Sequence, residues 1–283
     1  MKEQTPHREQ AANHSFPSEG GTEALLVIKV GGHITGDPDA LKAFLKDFAA
    51  IKGKKILVHG GGKIATRIAE QLGVASNYVN GRRVTDEAMV DVVAMVYGGL
   101  VNKKIVAGLQ AFGCNAMGLT GADGNTIPAR KRPPGKVDYG FVGDIEFPLE
   151  SGVCQLLLRS GVTPVFAPLT HDGKGQILNT NADTIASALA VSLSAVYQVR
   201  LVYCFEKKGV LRDVNNENDV VHLIDRKVYA RLAQEGALAD GILPKLENAF
   251  DAIDRGVHEV IIGQAADLLQ NIGPGVTGTL IRS

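Results

Sequence analysis

An α/β fold, a three-layer αβα sandwich around a mostly parallel open sheet, is what this sequence predicts. Three observations carry that expectation. Short, apolar, β-branched runs end directly in glycine turns. Each turn opens a segment whose apolar residues fall at helical spacing, and the alternation continues along the chain.

The first run, residues 25–30 (LLVIKV), reads as a buried strand closed by Gly31 and Gly32. Asp37-Pro38 then has the form of a helix N-cap and first turn, and Leu41, Phe44, Leu45 and Phe48 keep helical spacing until Gly53. Residues 55–59 (KILVH) form a second buried strand running into Gly60-Gly61-Gly62. Ile64, Ile68, Ala69 and Leu72 continue as a helix closed by Gly73. Asn80-Gly81, inside YVNGRRVT, predicts a type I′ hairpin that carries Arg82 and Arg83 on a small flap.

Asp86 caps a long helical stretch reaching about residue 109. Its apolar face (Met89, Val92, Val93, Val96) is broad enough to meet both a core and a second subunit, so a homodimer is expected. Residues 114–148 are turn-rich and β-prone, suggesting short hairpins near an opening. Helix is expected again over 149–159, a strand over 162–166, a turn at 171–176, and a helix opening at residues 179–183 and running to 193. A long apolar strand over 199–205, helical segments over 228–232 and 244–253, and a last strand over 259–262 complete the order. The expected division is a loose polar leader over 1–24, a lobe over 25–195 and a second lobe over 196–283, on one continuous sheet.

The 283 residues are 45% hydrophobic, ample for a core. Lys plus Arg (30) balances Asp plus Glu (30), which disfavours nucleic acid or a membrane surface as partner and favours a small molecule. Cys114, Cys154 and Cys204 are far apart and odd in number, so buried free thiols in a reducing compartment are expected. No uninterrupted apolar run approaches the roughly 18 residues of a membrane span, and the N-terminus has no signal-peptide core. A cytoplasmic protein is the expectation.

Lys29 is the informative residue of the first strand. An unpaired ammonium costs several kcal/mol to bury, so it either snorkels from an edge or meets a partner at the strand's carboxyl end, where ligands of open α/β sheets bind. HGGGKIA at His59 matches the GxGxxA spacing of a dinucleotide turn, but Asn80 stands where the ribose-binding acid is needed, so NAD is disfavoured. A Walker A loop fails too, because Leu57 replaces its first glycine and Ile64 its Ser or Thr. What remains is a glycine-rich helix start suited to an anion. Asn179, Asn181 and Asp183 straddle a loop-to-helix junction. Asn181 is an ordinary N-cap by type, while Asp183 is placed to turn inward and hold lysines. Lys245, beside Pro244 at a helix start, works against the helix dipole and so calls for a negative partner.

Taken together, KVGG at Lys29, HGGGK at His59, NGRRVTD at Asn80, LNTNAD at Leu178 and DGILPK at Asp240 resemble, in order and spacing, the N-acetylglutamate kinases, a family of amino acid kinase fold in arginine biosynthesis. The resemblance covers nearly everything after residue 24. It implies transfer of the ATP γ-phosphoryl to the side-chain carboxylate of an N-acylglutamate. On this likeness Lys29 and Lys245 neutralise the phosphoryl in flight and Asp183 orients both. Gly32, Gly61 and Gly62 offer backbone N–H groups to phosphate and substrate. Arg83 holds a substrate carboxylate, and Asn179 and Asn181 meet its amide. Lys208-Gly209 and Asp240-Gly241 hold ATP, with Mg2+ carried mainly through the phosphates and no metal bound by protein ligands alone.

The chain departs from the family pattern in three places. Arg82 stands where an apolar residue is usual; it is either a solvated hairpin arginine or a reader of the extra carboxylate of an N-succinyl group. Residues 203–209 (YCFEKKG) replace a usual Ser/Thr-Asp segment, and Ile242 replaces a usual Met, which leaves ATP less firmly implied than kinase chemistry. The polar leader, with Pro6 and Pro17, suggests a dimer without arginine feedback. Another carboxylate or carbamate kinase, and a non-catalytic sensor of the same fold, are the competing readings.

Overall fold

The computed structural model of the protein describes residues 16, 21–213, 215–235 and 242–283. An eight-stranded sheet runs through it in the order Leu223–Ile224, Thr279–Ile281, Glu259–Gln264, Gln198–Phe205, Ala24–Val30, Lys54–His59, Thr163–Phe166, Ala116–Leu119. From Glu259–Gln264 to Ala116–Leu119 every neighbouring pair is parallel. Thr279–Ile281 is antiparallel to Glu259–Gln264 and takes Leu223–Ile224 with it. The strand that carries Lys29 is central, hydrogen-bonded on both sides.

Side chains alternate across that strand, and the alternation sorts the core into two layers. Leu26, Ile28 and Val30 pack with Phe44, Ala65, Met89 and Ile105 on one face. Leu25 and Val27 pack with Ile185, Leu189, Leu201 and Ala249 on the other. Parity therefore sends Lys29 to the second face, under the helix Ala182–Leu193.

The connections explain where an opening must lie. After the central strand the chain crosses the first face, through the helix Pro38–Ala50, to Lys54–His59. After Gln198–Phe205 it crosses the second face, through Leu243–Asp254, to Glu259–Gln264. Two adjacent strands whose outgoing connections diverge leave a crevice at their carboxyl ends. Gly31-Gly32 and Phe205-Glu206 stand there.

Local signals in the sequence account for most elements. Asp37 caps its helix by accepting from the backbone N–H groups of Asp39 and Ala40, Asp86 accepts from Met89, and Asn181 accepts from Asp183 and Thr184. Asn80 and Gly81 both have positive φ (49° and 73°) in the hairpin Tyr78–Val79/Arg82–Arg83. The hairpin expected within 114–148 is Ala129–Lys131 with Gly143–Ile145. A second one, Leu169–His171 with Ile177–Asn179, brackets the 171–176 turn.

The long helix Glu87–Ala111 is continuous but widens to a π-helix over Ala94–Val101. Length and composition alone would let it cross a bilayer, contrary to the sequence expectation. Met89, Val93, Ile105 and Leu109 are nonetheless fully buried against the sheet, so its apolar residues serve the core. The short strands Leu223–Ile224, at the edge, and Thr279–Ile281, next to it, were not expected; with two and three residues they carry too little periodicity to read. Most of the expected leader lies outside the described residues. Phe16 does not: it is buried, with its ring 4.1 Å from the Arg200 guanidinium carbon.

Candidate active site

At the divergence point lies a cleft of about 410 Å3 lined by Lys29, Gly31, Gly32, Phe205, Glu206 and Lys245, with Leu211, Ile242 and Ile262 as its apolar wall. Lys29 reaches it because position 29 is next to last in its strand, and the side chain turns toward the start of the helix Ala182–Leu193. Its ammonium lies 2.7 Å from Asp183 Oδ1. That oxygen receives no aligned hydrogen bond, so the contact is one of charge. Asp183 in turn sits in the first helical turn, placed by the Asn181 cap and by the Tyr203 hydroxyl, which donates to the Asp183 carbonyl (3.3 Å).

Lys245 enters from the opposite wall, on the first turn of Leu243–Asp254, a helix with Pro244 in its first turn and no side-chain cap. Burial pushes its ammonium below the ordinary lysine value. The Lys29 charge adds to that, while Asp183 and Glu206 pull the other way. Lys29 pairs with the half-buried Asp183 carboxylate, which also acts on Lys245 from beyond ion-pair distance, and positive charge faces the cleft.

A second cleft, of about 650 Å3, adjoins the first and shares Gly32 and His33 with it. Its floor is made by the two glycine turns, which are nested. A Cβ on Gly60 would lie 2.9 Å from Gly32 N, and one on Gly61 would lie 2.8 Å from Tyr97 Cδ1, so neither position admits a side chain without movement. The close approach brings the Gly32 backbone beside the N–H groups of Gly61 and Gly62, at the start of the helix Gly62–Gln71. First-turn N–H groups have no partner within their helix and face a ligand.

Beneath this floor His59 is fully buried, and burial lowers its pKa to about 4, so it is neutral. Nδ1–H donates to Gly60 O (2.9 Å) and Nε2 accepts from Asn102 Nδ2 (3.1 Å), which fixes the tautomer and ties the turn to the long helix. At the rim, His33 Nδ1 lies 2.9 Å from Lys63 Nζ and 3.3 Å from Glu206 Oε1. One nitrogen cannot accept from the first and donate to the second at once.

The hairpin arginines separate as strand alternation requires. Arg83 is buried and Arg82 exposed, and both line the second cleft. The Arg83 fork is already engaged: it donates to Gly62 O (2.9 Å), Thr66 Oγ1 (2.8 Å), Ser76 Oγ (2.9 Å) and the Tyr78 hydroxyl. An anion reaching its Nη groups would compete with these hydroxyls. Asn179 lines the same cleft, its Nδ2 donating to Thr85 Oγ1 (2.9 Å). Asn181 spends its Oδ1 on the helix cap, which leaves Nδ2 as its donor toward the cleft.

Of the residues expected around the nucleotide, Gly209 lines the first cleft, where a Cβ would come within 2.7 Å of Thr279 Oγ1. Lys208 is directed elsewhere, its ammonium 2.9 Å from Asn218 Oδ1, and Lys207 lines the cleft in its place. Asp240 and Gly241 lie outside the described residues. Among the described residues no group of three or more His, Cys, Asp or Glu could hold a metal. The carboxylate on the first cleft's lining is Glu206, a donor set that fits a magnesium ion arriving with its phosphates. The three cysteines are buried free thiols, and burial pushes Cys154 and Cys204 up to about 12.

Several site residues escape sequence reasoning. Phe205 packs against both ammonium groups, and Tyr97 meets Gly61 from the π-helical turn. An aromatic at a strand end and a tyrosine in an apolar helix carry no local mark of function. Chemically, the arrangement offers converging ammonium groups and backbone N–H groups between two adjoining clefts. It suits charge neutralisation of an anion passing from one to the other.

The amino acid kinase family model matches residues 24–264. The chain is 58% identical to the acetylglutamate kinase of Bacteroides fragilis over 244 residues, 86% of this chain and 93% of that one. It is 36% identical to that of Methanopyrus kandleri over 262 residues, 91% and 100% of the respective chains. Among solved structures, N-acetylglutamate synthase from Neisseria gonorrhoeae, complexed with coenzyme A and N-acetylglutamate, superposes with a TM-score of 0.77 at 22% identity. That match spans 92% of this chain and 59% of the synthase. Carbamate kinase from Giardia lamblia bound to AMP-PNP superposes at 0.67, with 15% identity, 93% of this chain and 99% of the other. These two likenesses concern the fold, whereas the curated relatives and the family model place the sequence: the chain belongs to the amino acid kinase family and, within it, to the acetylglutamate kinases.

Proposed function

We propose that this enzyme transfers the γ-phosphoryl group of ATP to the side-chain carboxylate of N-acetyl-L-glutamate, giving an acyl phosphate and ADP in arginine biosynthesis. The observation that carries the proposal is that Lys29, ion-paired to Asp183, and Lys245 line the first cleft together, with both ammonium groups over the Phe205 ring, beside the glycine turn that the second cleft shares. The first cleft, with its apolar wall and Glu206, takes the nucleotide with Mg2+. The second, with Arg83, Asn179 and Asn181, takes the acylglutamate. This assignment puts the substrate lobe in residues 25–195 and the nucleotide lobe in 196–283.

In the reaction a carboxylate oxygen bonds to the γ-phosphorus as the bond to the β,γ-bridging oxygen breaks, and the electron pair leaves with ADP. The acceptor is already ionised near neutrality, so no general base is needed and catalysis reduces to alignment and charge stabilisation. Lys29 and Lys245 neutralise charge on the phosphoryl oxygens. Asp183 holds the two like charges at a common point, and the N–H groups of Gly32, Gly61 and Gly62 complete the cradle. Magnesium supplies further neutralisation of the triphosphate when it is bound.

Arg82 is exposed on the second cleft while Arg83 is held by protein acceptors. This favours a second reading in which the acyl group carries its own carboxylate, as N-succinyl-L-glutamate does. One assay tests both. ADP release and hydroxylamine trapping of the acyl phosphate are followed with acetyl-, succinyl- and free glutamate. ADP formation without hydroxamate rejects carboxyl-group transfer, and turnover of the acetyl substrate equal to or better than the succinyl substrate rejects the second reading.

A cytoplasmic homodimer completes the proposal. The buried free thiols support a reducing compartment, and Met95 and Leu100, 57% and 37% exposed on the long helix, support a subunit contact. Sedimentation of the purified chain as a monomer rejects the dimer.

A further inference from the structure

The two ammonium groups have a partner that neither the carboxylate nor the glycine turns supply. Lys245 Nζ lies 3.6 Å from the centroid of the Phe205 ring, and Lys29 Nζ lies 4.9 Å from the same centroid. Both distances are within the range in which a ring face attracts a cation. Phe205 ends its strand on the rim of the first cleft, and its ring stacks on that of Tyr203 at 6.0 Å with 24° between the planes. Tyr203 pairs with Lys29 in the sheet register, and its hydroxyl holds the carbonyl of Asp183. One aromatic pair thus touches all three residues: Tyr203 the backbone of the aspartate, Phe205 the ammonium groups of the two lysines.

The site needs such a partner. Two ammonium groups brought to one point repel each other, and one carboxylate neutralises one of them. Glu206 on the cleft lining acts on Lys245 without forming an ion pair with it, and a carboxylate paired directly with the second ammonium would remove the charge that the phosphoryl must meet. A ring face attracts both ammonium groups through its quadrupole while adding no net charge, and it accepts no hydrogen bond that phosphate would have to break.

We propose that Phe205 is a positioning residue for phosphoryl transfer, a neutral aromatic seat that holds the Lys29 and Lys245 ammonium groups together before phosphate arrives. The proposal rests on the reading of Lys29 and Lys245 as the phosphoryl-neutralising pair. It goes beyond that reading by assigning the energetic role of holding them to an uncharged side chain. It also explains the chemical character of residues 203–205: Cys204 points to the opposite face and packs in the other core layer, while Tyr203 and Phe205 share the face of Lys29.

The test compares Phe205→Leu, which keeps apolar bulk and removes the ring face, with Phe205→Tyr and Phe205→Trp, which keep it. Lys245→Ala is the reference. Phe205→Leu is expected to lower kcat about 10-fold, the rate equivalent of a partly desolvated cation–π contact, with KM for the acylglutamate unchanged and the melting temperature close to wild type. Phe205→Tyr or Phe205→Trp restores kcat.

The pH profile supplies a readout that packing alone would not move. Lys245 faces Asp183, Lys29 and Glu206 as well as the ring. Loss of the ring leaves its ammonium less favoured, so the alkaline limb of kcat moves to lower pH in Phe205→Leu. Wild-type kcat in Phe205→Leu, or a loss that the aromatic variants do not restore, overturns the proposal. If Phe205→Leu fails to fold, Phe205→Met gives the same comparison with a more adaptable side chain. Lys245→Ala separates the two levels: if it leaves kcat intact, the reading of the lysine pair fails, and if it abolishes kcat while Phe205→Leu is neutral, the aromatic seat alone fails.

Discussion

The two ends of the central sheet bury charge in opposite ways, and Lys29 and Lys55 show it on adjacent strands. Both are nearly inaccessible, 8% and 5% exposed. Lys55, near the amino end of its strand, turns to the C-terminus of the helix Pro38–Ala50. There it donates to the carbonyls of Phe48 (2.7 Å), Ala49 (3.2 Å) and Ile51 (2.6 Å). Those carbonyls lie at a helix end, where Phe48 O also accepts from the Ile51 N–H (3.3 Å), and the lysine serves them and the dipole together. At the same end Arg200 is closed off by Glu259 and the carbonyl of Ile272 (2.7 Å). Every ammonium and guanidinium named there is saturated by the protein.

At the carboxyl end the accounting is left open. Lys29 pairs with Asp183, Lys245 has no ion-pair partner among the described residues, and the first turns beside them present N–H groups outward. The contrast teaches that burial of a lysine is not itself a mark of function. What matters is whether the partners around it exhaust its charge.

Four measurements break or sharpen this contrast, from the largest expected effect to the smallest. Lys29→Met should lower kcat about 100-fold or more, as loss of one preorganised donor does, with little change in melting temperature. Lys55→Met is its control, and a comparable loss of turnover there ends the distinction between the two ends. Asp183→Asn should lower kcat about 10-fold or more and move the alkaline limb of activity to lower pH. The sign follows from Lys245. On the proposed mechanism activity requires its ammonium, which is lost as pH rises through an already lowered pKa, and removal of the carboxylate that raises that pKa lowers it further. A limb unmoved in Asp183→Asn separates Asp183 from Lys245.

Lys55→Met should leave turnover per folded molecule intact and cost about 2 kcal/mol, or roughly 5 °C of melting temperature, because helix-end carbonyls lose their donor. The folded-state pKa of Lys55 is depressed by burial below 10.5, so between that lowered value and 10.5 the unfolded chain holds more protons. The wild-type advantage over Lys55→Met should therefore grow as pH rises through that window. A difference that shrinks instead rejects the reading of Lys55 as a costly buried cation. Arg82→Ala should change KM for acetylglutamate less than about threefold, the scale of an exposed charge, and a larger rise places this side chain on the substrate.

Much of the fold was legible because its signals are local. Asp37, Asp86 and Asn181 cap as their residue types suggest, Asn80-Gly81 makes the hairpin turn, and the glycine runs end strands. The expectation that Lys29 would find a charge at its strand end was met by Asp183. The same rule applied to Lys55 would have drawn the wrong conclusion, since spacing cannot tell a helix carbonyl from a carboxylate 128 positions further on than Lys55. Lys207 and Lys208 differ by one position, and only the loop's path decides which of them lines the cleft. Phe205 became visible as a site residue only when two lysines, 216 positions apart in the sequence, met its ring.

The wide turn at Ala94–Val101 bears on how the chain tolerates changes of length. A π-turn takes up one residue more than the regular helix would, so the faces before and after it stay in phase. Dropping a residue within it would relax the helix to ordinary pitch and leave Ile105 and Leu109 pointing at the sheet, at the expense of Tyr97 against Gly61. The same deletion one turn later would swing the remaining side chains by about 100° and turn the core residues toward water. The helix therefore has a single place where it can be shortened without losing its seat.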